Sequence, residues 1–233
     1  MKNLKSRLLS KTFVFALVSL LISSLSVRFM FNNKGFTFHD ETQIVNLYEY
    51  FVSFNNGQFP PRWASDVHFG YGSPLLSFNY QLPYYLGYPL YKIGFGLVHT
   101  FKLLMASSVL LGALGGYLLG LSLGTPLIAL TGSVIYTYLP YHALDVFVRG
   151  TLGESWAIAI FPFVILSLTR AIKKPSTLRI IWAGVSLALL ILAHQIAFMF
   201  ALPVVFALLL SMSLESDLKN RLFTIIKSLF WAL

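Results

Sequence analysis

The sequence predicts an all-α polytopic membrane protein, and three observations predict it. Of 233 residues, 57% are hydrophobic and only 11% are charged. Apolar runs recur from residue 12 to the last residue, so most of the chain would be dissolved in lipid. Lysine and arginine gather in short blocks between those runs, as orientation signals do. The formal charge of +9 therefore does not argue for nucleic acid, and no nucleic-acid partner is expected. There is no cysteine, which excludes a disulfide, a thiol nucleophile and a thiolate metal site.

The first element is a span at about 12–30, preceded by Lys2, Lys5, Arg7 and Lys11. No small-residue cleavage site follows it, so it reads as an uncleaved span rather than a signal peptide. Further basic blocks are Arg170, Lys173, Lys174 and Arg179, then Lys219, Arg221 and Lys227. Together the three blocks hold 11 of the 17 Lys and Arg, and the positive-inside rule puts them all in the cytoplasm. The expectation is an integral, multi-pass protein of the plasma (inner) membrane with a cytoplasmic N-terminus.

Parity places the rest. The stretch between Arg179 and Lys219 has both ends on one side, so it crosses twice, as 179–194 and 197–214, turning beside His194 and Gln195. Upstream, the span at 155–170 returns to the cytoplasm, which leaves 31–102 and 140–154 as outer loops. The crossings between them are 103–123 and 126–139, joined at Gly124-Thr125. Residues 80–98 carry Pro83, Pro89, several tyrosines and Lys92, which suits a segment lying at the outer interface. The chain closes on a partial span, 222–233, too short to finish a crossing, as expected of an N-terminal fragment of a longer protein.

Within the first outer loop, "HDETQIVNLYEYFVSFNNG" places Ile44, Leu47, Tyr48 and Phe51 at helical spacing. Thr42, Gln43, Asn46, Glu49 and Ser53 point the other way, so it reads as an amphipathic helix lying flat on the membrane. Residues 58–80 are rich in Pro, Gly and aromatics without a period and read as a long loop. On this topology six of the eight carboxylates, Asp40, Glu41, Glu49, Asp66, Asp145 and Glu154, face outward with all five histidines. Carboxylates contribute little to orientation, so their asymmetry points to an outward polar site.

Bland roles compete with that reading. Asp40, in the patterns Thr37-x-x-Asp40 and Asp40-x-x-Gln43, can serve only as a helix cap. Asp145 and Arg149 are spaced as a helical pair. Glu154 can complement the dipole of the span beginning at Ser155, and His194 can be a satisfied turn residue. Gly112, Gly116 and Gly120 form a small-residue ridge suited to helix packing.

Taken in order, the first span, His39-Asp40-Glu41, the surface helix, the Pro-Pro-Arg-Trp loop, "GYGSPLLSFNYQLPYYLGYPLY", "LPYHALDVFVRGTLGE" and "LAHQ" resemble the bacterial membrane proteins related by name to 6-pyruvoyl-tetrahydropterin synthase. Those in turn resemble the N-terminal module of GT-C glycosyltransferases, such as protein mannosyltransferases and aminoarabinose transferases. The pterin label implies no chemistry here, because the soluble enzyme's three-histidine zinc site has no counterpart. The resemblance implies a GT-C-like helix bundle that transfers a sugar from a polyprenyl-phosphate donor to a glycan, lipid or protein acceptor at the outer face. It makes Asp40 the catalytic base with Glu41 beside it, and gives Glu154, or Asp145, the second acidic position. Arg149, Arg62 and His194 would neutralise the phosphate, and Trp63, Tyr71 and Tyr80 would stack on sugar or line the lipid groove. His39, Asp66, His142 and Gln195 complete the expected substrate-binding set. A divalent cation, Mg or Mn, is compatible with the family, but the loop has no Asp-x-Asp, so metal use stays open. Two other classes also stay open: a transporter or flippase of lipid-linked glycan, and a non-catalytic membrane assembly protein.

Overall fold

The computed structural model describes residues 2–32, 38–213 and 218–231. Among these the protein is 80% helical and has no strand. Three helices are long and apolar enough to cross a membrane: α5 (Leu97–Leu123), α8 (Leu152–Lys173) and α10 (Gln195–Ser213). Shorter apolar segments lie in α1 (Lys2–Ser26), α6 (Pro126–Thr137) and α9 (Thr177–Ala193). The remaining helices are α2 (Thr42–Asn55), α3 (Leu75–Phe78), α4 (Leu82–Lys92), α7 (Pro140–Ala143) and α11 (Leu218–Phe230). Thr37 of the expected capping pattern, and the ends of the stretches 197–214 and 222–233, lie outside the described residues.

α5 is the axis of the bundle, packed along α8 on one side and α6 on the other, while α9 continues the layer beyond α8 and α1 covers α5 and α6. Gly120 of the glycine ridge of α5, and Gly115 beside that ridge, permit this. A Cβ on Gly120 would stand 2.7 Å from the Cα of Ala129 in α6, and one on Gly115 would enter the ring of Phe163 in α8. Lipid supplies no hydrophobic drive between helices, so close backbone approach and hydroxyl bonds hold them instead. Ser133 of α6 donates to the carbonyl of Ala113 in α5 at 2.6 Å. Its single proton being used there, Ser19 of α1 must be the donor in the 2.6 Å Ser19–Ser133 contact. Ser23 and Thr137 repeat the link one turn away at 3.1 Å. α5 begins at Leu97, ahead of the expected residue 103, and so carries Lys102 as a buried side chain bonded to the carbonyl of Asn32 at 2.9 Å.

Residues 80–96 contain only the 11-residue α4, about 16 Å long and shorter than a bilayer core, and α5 begins at Leu97. α2 forms where its period predicts, but it faces differently. Gln43, Asn46, Glu49 and Ser53, expected to point to water, are buried, whereas Val45 and Tyr48 are exposed. The cause is non-local. The 58–80 loop folds over the polar side: Ser53 donates to the carbonyl of Trp63 at 2.7 Å, and Glu49 accepts from the amide of Asp66 at 3.3 Å. On the aromatic side α4 stacks against α2, with Tyr50–Tyr84, Phe54–Tyr88 and Phe51–Tyr91 centroids 4.6, 4.7 and 4.9 Å apart. Such ring pairs are each worth about 0.5–1.5 kcal/mol beyond area burial.

Candidate functional site

The site begins with a break in helical geometry. α7 starts on Pro140 and widens into a π-type turn, Leu144–Arg149, which ends at Gly150 with φ +70°. That left-handed residue reverses the chain so that the amides of Gly150 and Thr151 both return to the carbonyl of Asp145, at 2.9 and 3.2 Å. α8 then starts at once, with Glu154 in its first turn. The consequence is that Asp145, Arg149 and Glu154 converge. The Arg149 guanidinium donates to Glu154 at 2.7 Å and to Asp145 at 3.2 Å, while Tyr141 donates its hydroxyl to Glu154.

Asp145 has no exposed side-chain surface. It accepts from the hydroxyls of Thr151 and, at 3.0 Å, Ser155. Burial pushes its carboxyl up to about 6; Thr151 pulls it back and Glu154 raises it further. Arg149 keeps 39% of its side chain exposed, so the pair-forming cation also faces outward from the cluster. The helical-pair reading of Asp145 and Arg149 is therefore correct but incomplete.

The segment that leads into α2 is pinned to this turn through its backbone. The amide of His39 donates to Val148 at 2.8 Å and that of Asp40 to Arg149 at 3.0 Å. Phe38 fills the space over Gly150 where any Cβ would collide with its ring. The main-chain carbonyl of Asp40 accepts the amide of Gln43 at 3.1 Å, but its carboxylate caps no amide of α2 and accepts instead from the side chains of Thr42 and Gln43. Gln43 in turn accepts from the hydroxyl of Tyr80. Burial raises the Tyr80 phenol, which keeps it a donor. Its ring lies against Gly153, stacks on Tyr84 at 5.1 Å and sits 5.9 Å from the ring of His194. His194 accepts the amide of Ala197 on Nδ1 at 3.1 Å, capping α10, so its proton is on Nε2.

The expected residues thus fall into two groups. Asp40, Tyr80, Asp145, Arg149, Glu154 and His194 form one continuous assembly at one end of the bundle. His39 is exposed beside it, Glu41 is exposed and caps nothing, and Gln195 is exposed at the start of α10. His142 is buried, bonded to the carbonyl of Thr137 at 3.2 Å and edge-on to Tyr136, a satisfied core residue that borders a small void beside Asp145. Arg62, Trp63, Asp66 and Tyr71 belong to the 58–80 loop around the far half of α2. There Asp66 accepts from Tyr48 at 3.4 Å, and among the described residues no hydrogen bond or ion pair joins these four to the assembly. Gln43, Tyr141, Thr151 and Ser155 were not singled out by sequence for the site, and each bonds a carboxylate in it.

Glu154 and Tyr141 also head a groove of about 320 Å³ that descends between α8, α9 and α10. Below them it is lined by apolar side chains, among them Ile158, Phe161, Leu190, Ala201 and Val204. A cation cage is not evident: among the described residues no three His, Asp or Glu side chains gather to hold a metal, and Arg149 already bridges the two carboxylates.

Fold and site together define a helical membrane protein in which the carboxylates Asp40, Asp145 and Glu154 gather with Arg149 at one end of the bundle, above an apolar groove. The chain belongs to the 6-pyruvoyl-tetrahydropterin synthase related domain family, a membrane protein family, whose model matches residues 78–232. No curated protein and no solved structure matches it.

Proposed function

We propose that the protein carries a GT-C-type site that transfers a sugar from a polyprenyl-phosphate donor to an acceptor at the outer face of the membrane. The observation that supports this most is the pinning of Asp40 to the Asp145–Arg149–Glu154 turn at the head of the apolar groove. A lipid-linked sugar needs that juxtaposition: a channel for the isoprenoid, a cation for the phosphate and a carboxylate for the acceptor.

In the proposed step the acceptor oxygen attacks the anomeric carbon, and the bond from that carbon to the phosphate oxygen breaks, its electron pair leaving with the phosphate. The acceptor proton passes to Asp40. Glu154 orients the acceptor. Arg149, half-exposed and rigidly held, and the Nε2–H of His194 meet the phosphate charge. No step runs through a metal ion. The groove favours transfer over transport, because no Asp, Glu, His, Lys or Arg other than Glu154 is among its lining residues, whereas a transport path would carry such groups to mid-depth.

The test is transfer from a radiolabelled polyprenyl-phosphate sugar in membranes carrying the full-length protein. Asp40→Asn is expected to lower turnover about 10²–10⁴-fold, the usual contribution of a positioned base. Glu154→Gln is expected to weaken acceptor use. Unchanged glycan and lipid-linked sugar profiles in both variants would leave an assembly role instead.

A further inference from the structure

We infer that the opposite end of the bundle holds a site for the headgroup of an anionic phospholipid, formed by Arg170, Arg179 and Trp182 between α8 and α9. This does not rest on the sugar-transfer reading. Arg170 lies about 24 Å along α8 from Glu154, so the two sites are separated by nearly a bilayer core.

The short 174–176 connection folds α9 back along α8, and the bond between Ser167 and Ser186, 2.7 Å long, ties the two helices. Arg170 and Arg179, nine positions apart in sequence, are thereby brought to the mouth of one cavity of about 380 Å³. That volume falls in the range of ligand pockets, roughly 300–1,000 Å³. Its deeper wall is Leu118 of α5 with Phe163 and Leu166 of α8. From Arg170 down to Phe163 is about 10 Å along the helix, enough for the first carbons of an acyl chain. The cavity therefore has the polarity of a phospholipid, cationic at the rim and apolar below.

An orientation signal needs only charge in the loop, and Lys173 and Lys174 supply it from outside this cavity. Arg170 and Arg179 do more, because they share a concave site. Arg179 is held by a 2.6 Å bond from one guanidinium nitrogen to the carbonyl of Lys174, which leaves its other donors for a phosphate. Trp182, 60% exposed, adds the aromatic ring that prefers the headgroup level. Basic pockets of this kind between membrane helices bind anionic headgroups.

The experiment is native mass spectrometry of the full chain in detergent, titrated with dioctanoyl phosphatidylglycerol or phosphatidylcholine. The wild type is expected to prefer the anionic phosphatidylglycerol about tenfold. The double variant Arg170→Gln/Arg179→Gln should lose that preference, while Lys173→Gln/Lys174→Gln, which removes the same charge from the same loop, should keep it. Leu118→Trp, which narrows the cavity without touching charge, should also reduce the adduct and covers the case in which the arginine variant does not fold. Equal loss in both charge variants, no preference in the wild type, an adduct indifferent to Leu118→Trp, or full displacement by inorganic phosphate would each overturn the assignment.

Discussion

The amide of Asp40 donates to the carbonyl of Arg149 at 3.0 Å, joining residues more than a hundred positions apart. With the neighbouring His39–Val148 bond it sets the segment leading into α2 against the turn that carries the buried carboxylate. Everything proposed for this end of the bundle depends on that junction.

Gly150 makes the junction possible, since its φ of +70° and the ring of Phe38 both exclude a side chain. Gly150→Ala is expected to destabilise the protein by at least about 1–2 kcal/mol from the left-handed backbone alone. Thermal unfolding in detergent would show it as a lowered Tm, and faster amide exchange at residues 39 and 40 would place the loss at the strap.

Asp145 gives the protein a pH signature. Its folded carboxyl titrates at about 6, above the ordinary value of 3.8, so the native state holds the proton more tightly than the unfolded chain. The stability it contributes is fully present below about pH 4 and is lost as pH rises through 6. The Tm difference between wild type and Asp145→Asn should therefore shift against the wild type between pH 4 and 6 and level off above. A difference independent of pH would contradict the buried, proton-retaining carboxyl.

Tyr80 connects Gln43 to the ring of His194. Tyr80→Phe keeps the ring stack and removes only the hydroxyl that Gln43 accepts, leaving a buried amide oxygen unpaired. The expected cost is about 1–3 kcal/mol in thermal or denaturant unfolding. On the proposed mechanism it also lowers turnover by loosening Asp40, whose carboxylate Gln43 holds.

The groove can be closed without disturbing the charged cluster. Ala201 is 6% exposed and lines it from α10. Ala201→Phe should raise the KM for a long-chain polyprenyl donor while leaving a donor truncated to a few isoprene units nearly unaffected. Equal effects on both donors would argue against the groove as the lipid channel.

Much of this architecture is legible in the sequence, and what is not has a common cause. α2 forms where its apolar period places it, and α8 and α9 each cover one of the apolar runs between basic blocks, because composition and spacing along the chain are local. The direction in which α2 faces is not legible, since it depends on tyrosines of α4 and a loop that arrives from elsewhere in the chain. The Asp145–Arg149 pair follows from spacing alone. Thr151 and Ser155 do not, because the widened turn and Gly150 interrupt the helical period that would have related them to Asp145. The Asp40–Arg149 contact leaves no side-chain pattern at all, being made by main-chain atoms.

Main-chain attachment of residues 39 and 40 separates anchoring from chemistry. The exposed imidazole of His39 can be exchanged for another group, for selection or for engineering, while the peptide carrying it stays seated on Val148, whereas the carboxylate of Asp40 is itself bonded to Thr42 and Gln43. The strap thus works as an interchangeable holder at position 39, where the side chain can be varied through one codon without rebuilding the scaffold beneath it.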